Sequence, residues 1–300
     1  MSIPAAYVGI IIIWSTTPLA IKWSGDGSGY LFGVTSRMLI GVFLCLLLVS
    51  LLSIKMPWHK RAVQTYIAAG LAVYGAMLSV YWGAQFIPSG LISVLFGLTP
   101  FVTAVLAAIW LQERSLTVAK LVAMLLGVSG LILIFRSSIL VGEQAILGIC
   151  AVLLSVFIHA TSAVWVKKLG AQLPALVITN GALMVSTPLY LLTWWTVDGN
   201  LPVSLPEKTL MSIIYLGVFG SVLGFVLYYF VLKQIQASTM ALVTLVTPVT
   251  ALILGSQLNH EKIDTFVWAG TMCIMLALII YQWGELFYKR VLQKTTVSDG

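Results

Sequence analysis

The sequence predicts an all-α membrane protein: ten transmembrane helices arranged as two inverted-topology five-helix repeats. Composition, the spacing of apolar runs and an internal repeat predict it. Of 300 residues, 60% are hydrophobic and only 8% charged, and the mean hydropathy is +1.05. Soluble domains carry about 25% charged residues, so this chain cannot clothe a water-facing surface. At about 20 residues per bilayer crossing, its length holds roughly ten spans and no sizeable soluble domain. The net charge of +7 could suit nucleic acid. In a membrane protein, though, basic residues gather in cytoplasmic loops, so the lipid bilayer is the expected partner and nucleic acid is not.

The first apolar run, near residues 3–22, has no basic leader and no small-residue cleavage site, and reads as a retained helix. A Gly-rich stretch beginning at Gly25 separates it from the second run, near 30–53. Lys55, His59, Lys60 and Arg61 precede the third, near 64–86. Hydropathy alone could fuse the third with the fourth, near 90–111, but Ile87-Pro88-Ser89-Gly90 divides them as a tight turn. Glu113-Arg114 closes the fourth run. The fifth, near 118–136, ends at Arg136; the sixth, near 145–167, ends at Lys167-Lys168. The seventh, near 174–195, precedes Asp198, and the eighth, near 209–232, precedes Lys233. The ninth, near 238–258, precedes His260-Glu261-Lys262, and the tenth lies near 265–287.

With ten spans and a cytoplasmic N-terminus, the inner segments hold Lys55, Lys60, Arg61, Arg114, Lys120, Lys167, Lys168, Lys233, Lys289, Arg290 and Lys294. The outer segments hold only Lys22, Arg136, Lys208 and Lys262. The excess of inner Lys and Arg places both termini in the cytoplasm.

Residues 81–114 align without a gap on residues 229–262. Tyr81 falls on Tyr229, Ile87 on Ile235, Thr99-Pro100 on Thr247-Pro248, and Glu113-Arg114 on Glu261-Lys262. Two apolar helices resemble each other easily, but a Thr-Pro followed at one fixed distance by an acid-base pair, twice, is hard to obtain by chance. Five spans per half is an odd number, so the second half enters from the opposite side. Inverted repeats are a signature of carriers, whose pseudo-equivalent halves exchange inward-open and outward-open shapes around a midplane site.

This arrangement resembles the drug/metabolite transporter superfamily, specifically its bacterial EamA-like branch. Pro100 with Glu113 and Pro248 with Glu261 carry the resemblance; Trp14-Ser15 and Arg37 fit it more loosely, and the second half has Asn180 near where a matching Arg would fall. The resemblance implies a first repeat over residues 1–140, a second over 141–288 and a cytoplasmic tail over 289–300. It implies a multi-pass inner-membrane secondary carrier that exports a small organic metabolite or drug by alternating access. Its cavity would be formed by spans one, three, four, six, eight and nine, and the protein would be a monomer or weak homodimer. An intramembrane enzyme acting on lipid-linked substrates, or a non-transporting scaffold or sensor, are the alternatives.

The candidate substrate-binding residues are Trp14, Thr17, Tyr74, Tyr81, Pro100, His159, Trp165, Tyr229 and Pro248. Each proline lies in the middle of a span and frees the carbonyl four residues earlier, at Phe96 or Thr244; the kink either lines a cavity or is satisfied by neighbouring helices. Aromatic walls suit neutral or amphipathic organic solutes, although ordinary packing also explains any one ring. His159 is the one histidine deep in a span, and Ser155, His159 and Ser162 share a helical face. That face looks toward a cavity, for substrate hydrogen bonding or proton-linked transport, or toward a neighbouring helix.

Arg37, Glu113 and Glu261 are candidate gating or structural residues. Arg37 either snorkels outward as an interfacial anchor, or meets an anion or clamps helices. The two glutamates end spans on opposite membrane faces, where a carboxylate meets the unfavourable end of the helix dipole. A compensating partner is therefore expected, and the pair reads as helix-end locks. Gly220-x-x-x-Gly224 is a small-residue packing surface. No GxxxxGK[ST], HExxH or GxSxG occurs, and the cysteines Cys45, Cys150 and Cys273 have no metal-like spacing. No catalytic residue, metal or cofactor is expected, and a small molecule is the expected substrate.

Overall fold

A computed structural model describes residues 2–113, 117–141, 143–240, 243–244 and 246–298. Among them there is helix and no strand. Spans one to three are α1 (Ile3–Gly25), α2 (Tyr30–Leu51) and α3 (Lys60–Gly83). Span four is split into α4 (Ser89–Phe96) and α5 (Thr99–Trp110), and span five is α6 (Val118–Val141). Spans six and seven are α7 (Glu143–Leu169) and α8 (Ala175–Val197). Span eight runs through α9 (Glu207–Tyr215), a π-helical segment (Leu216–Leu223) and α10 (Gly224–Leu232). Span nine is α11 (Ala237–Met240) with α12 (Thr247–Asn259), and span ten is α13 (Thr265–Ser298).

Nine of these spans, among the described residues, are long and apolar enough to cross a bilayer; span nine is interrupted between its two pieces. The helix of span ten continues past residue 288, through most of the expected tail.

The packing repeats when the halves are exchanged. α1 lies against α9, α10 and α12; its counterpart α7 lies against α3 and α5. α2 packs on the π segment and α9 as α8 packs on α3. The pairs α2–α8 and α6–α13 each join an element to its own counterpart, and α4–α12 has its exchanged equivalent in α11–α5. A two-fold relation between the halves demands this pattern, and five crossings per half put its axis in the membrane plane. At α6–α13 the backbones nearly touch: a Cβ on Gly130 would stand 2.6 Å from the Gly270 carbonyl, and one on Gly270 2.6 Å from that of Gly130. Small residues are what permit such contact without a hydrophobic drive between helices in lipid. The outer surface is apolar instead: Ile12, Phe43, Ile109, Leu125, Ile132 and Leu192 are exposed, as a lipid-facing surface requires.

The prolines of the repeat do not sit inside kinked helices. Pro100 and Pro248 each occupy the first turn of a new helix, α5 and α12, where a missing N–H costs nothing and the fixed φ favours helix entry. At Pro100 the expected kink takes the form of a two-residue interruption, Gly97–Leu98, between two helical segments. There Gly97 N–H donates to Ser93 and Val94 carbonyls and Leu98 N–H to Leu95. The freed Phe96 carbonyl accepts from Thr99 Oγ1 at 2.6 Å.

Candidate functional site

The broken helices meet the uninterrupted ones at a central cavity of about 80 Å³. Trp14, Thr17, Pro18 and Ile21 of α1 line it with Met77 and Val80 of α3, Ile92, Ser93 and Phe96 of α4, and His159 of α7. Gly220, Phe225, Thr244 and Thr247 supply spans eight and nine, and Arg37 adds span two. Two smaller hollows of about 10 and 20 Å³ share His159 with it. Among the described residues no Asp or Glu lines any of the three. No group of three metal-ligating side chains occurs among the described residues.

His159 is caged by rings: Tyr228 at 5.2 Å, Trp14 at 5.7 Å and Phe96 at 6.2 Å between centroids. Among the described residues it makes no hydrogen bond. Its flanking serines are spent on helix packing, although Ser162 also borders the hollow of about 20 Å³. Ser155 Oγ donates to the Ala76 carbonyl at 2.7 Å and Ser162 Oγ to the Ala68 carbonyl at 3.3 Å, fastening α7 to α3. The shared polar face thus divides into a helix–helix staple and a histidine on the cavity wall.

Arg37 does not snorkel. It is 1% exposed, two turns inside α2, with Nε donating to Ser221 Oγ at 2.8 Å. Nη1 has no partner, and no carboxylate among the described residues lies within ion-pair distance. The π segment is moulded around it: a Cβ on Gly220 would lie 3.0 Å from Nη2. Gly220, expected as plain packing, and its neighbour Ser221 therefore make the seat of this guanidinium. π-helical turns of this kind recur at functional sites.

The other expected residues are dispersed. Trp14, Thr17 and His159 meet at the cavity, and Tyr229 borders one of the smaller hollows. Tyr74 lies outside it, its hydroxyl 2.6 Å from Thr193 Oγ1 and its ring against Tyr190, in the α3–α8 packing. Tyr81 is buried in the core near Ser24 Oγ. Trp165 is 44% exposed and borders a surface groove with Arg61 and Lys168. Neither Pro100 nor Pro248 lines the cavity; the residues just before them do. Phe96 and Thr244, whose carbonyls attract attention in the sequence, line it instead, four residues before each proline. Ile92, Ser93 and Phe225 give no sequence signal that separates them from ordinary apolar helix.

The two glutamates sit in matched caps. Glu113 N–H bonds to the Ala107 carbonyl and Glu261 N–H to that of Gly255, at 3.3 and 3.2 Å. The residues before them, Gln112 and His260, both turn left-handed, with φ of 53° and 50°. These are one helix-end motif made twice. Glu261 finds the compensation its helix end lacks at another helix's start. Its Oε2 accepts from Ser89 Oγ at 3.0 Å and Gly90 N–H at 3.5 Å, at the favourable N-terminus of α4. Oε1 accepts from Asn259 Nδ2 at 2.9 Å and lies 3.9 Å from Lys22 Nζ, which itself donates to the Ile87 carbonyl at 3.0 Å.

At the opposite end, Lys167 of α7 donates to the Leu232 carbonyl at 3.3 Å and to that of Ile235, the counterpart of Ile87, and feels the Glu113 carboxylate. Each end joins a lysine from the first helix of one half to a carbonyl of that same half and to the glutamate of the other.

The family described as the EamA-like transporter family matches residues 3–136 and again 146–282. Similar proteins include an "Uncharacterized transporter" of Archaeoglobus fulgidus, 29% identical over 70% of this chain and 73% of its own. The transporter YoaV of Bacillus subtilis is 24% identical over 91% of this chain and 94% of its own. A "Probable terminal-alkyne amino-acid exporter" of Streptantibioticus cattleyicolor is 26% identical over 91% and 88%. A crystal structure with TM-score 0.69 and 16% identity covers 94% of this chain and 97% of that one, and shares its fold.

Proposed function

Because this chain belongs to the EamA-like transporter family, we propose that it exports a small organic metabolite or drug across a bacterial cytoplasmic membrane by alternating access to the cavity at His159. The observation that carries this reading is the pair of symmetry-related closures on either side of one cavity. Releasing Glu261 from Lys22 and the α4 N-terminus opens one end; releasing Lys167 from the Ile235 carbonyl and Glu113 opens the other. The half-helices on either side of Pro100 and Pro248 are the elements that change angle. Trp14, Phe96 and Phe225 wall the solute, and Thr17, Ser93 and Thr247 offer it hydroxyls.

The distribution of Lys and Arg supports a cytoplasmic position for both termini, with the Lys22–Glu261 closure outside. On this reading residues 1–140 and 141–288 are the exchanging units. A relative named as an amino-acid exporter supports an organic solute and the outward direction. Reconstituted full-length protein in liposomes loaded with a mixed pool of amino acids and small organic acids tests this, with efflux followed by mass spectrometry. At least one solute class should leave protein-containing vesicles and stay in empty ones; identical retention in both overturns the reading.

A further inference from the structure

Arg37 is a permanent charge, 1% exposed, with an unpartnered Nη1 and no carboxylate in ion-pair reach among the described residues. A charge in that position is tolerated when something pairs with it, and here Arg37 lines a cavity. Thr247, the first residue of α12, lines the same cavity. The N-terminal end of that helix therefore borders the space Arg37 borders. Two independent positive features converge, and no acidic side chain lines the cavity. The remaining wall is apolar and aromatic.

We infer that the solute this cavity binds carries a carboxylate, which pairs with Arg37, and an apolar body, which lies against Trp14 and Phe96. One guanidinium in a largely apolar chamber suits a single negative charge better than a phosphate dianion. Arg37 is held for this by the rest of the molecule: Ser221 fixes Nε, the absent side chain at Gly220 leaves room for Nη2, and Nη1 is left without a partner for a charge-assisted contact. The inference rests on the carrier reading, and its test separates the two.

Purified full-length protein is titrated with paired probes, each a carboxylate and its neutral amide: benzoate and benzamide, phenylacetate and phenylacetamide, isovalerate and isovaleramide. Thermal unfolding and Trp fluorescence are followed at fixed ionic strength. At least one carboxylate should raise the unfolding temperature where its amide does not. In Arg37→Gln its apparent affinity should fall about tenfold or more, the loss of one charge-assisted contact, with partial retention in Arg37→Lys. Amides that bind as well as their acids overturn the inference, as does a carboxylate effect that survives Arg37→Gln, or no response to any carboxylate in the wild-type protein. The wild-type comparison stands even where the variants fail to fold. Protein-dependent flux without carboxylate preference removes this inference and leaves the carrier; carboxylate binding without flux of any solute does the reverse.

Discussion

The hydroxyl of Thr99 does for α4 what the missing N–H of Pro100 cannot: it donates to the Phe96 carbonyl. In lipid an unmet carbonyl has no water to turn to, which gives the Thr of the Thr-Pro pair its physical purpose. Thr99→Val should therefore lower stability by about 1 kcal/mol, and Thr99→Ser should leave it nearly unchanged; equal thermal unfolding of all three proteins would remove that role. Single residues were the least legible scale. Arg37 stood out as a charge in a span, but its direction depends on Gly220 and Ser221, far away in sequence. Tyr74 and Tyr81 carry the same chemistry as Tyr228, and only tertiary packing separates those spent on Thr193 or the core from the ring beside His159.

Elements were far more legible. Each apolar run became a span, with ends shifted by a few residues except at the tenth, whose helix runs on to Ser298, because hydropathy reports what must face lipid. Breaks within spans were not, because hydropathy is blind to which backbone bonds are made. The π segment Leu216–Leu223 and the gap between α4 and α5 lie in sequence as apolar as their surroundings. Proline marked the breaks but not their kind. If the half-helices are the moving parts, alanine at Pro100 or Pro248 restores a donor and lets the halves fuse into one stiff span. Solute flux in proteoliposomes should then fall severalfold while membrane insertion and yield stay near wild type. Unchanged flux in both variants would sink the hinge role.

Across the whole molecule, one motif read twice in the sequence predicted a two-fold fold, and the helix contacts repeat under exchange of the halves. The likeness extends to the left-handed caps at Gln112 and His260. What the sequence could not disclose at this scale is closure: that Lys22 and Lys167 would meet carbonyls of aligned residues, Ile87 and Ile235, at opposite ends. That is a property of residues far apart in the chain that the fold brings together. The central claim, two inverted halves around one cavity, is tested most directly by sidedness. With Cys45, Cys150 and Cys273 replaced, Gln112→Cys and His260→Cys, both at exposed positions, are challenged in intact cells with a membrane-impermeant thiol reagent. The account predicts labelling at 260 without permeabilisation and at 112 only after it; labelling of both from the same side would contradict it.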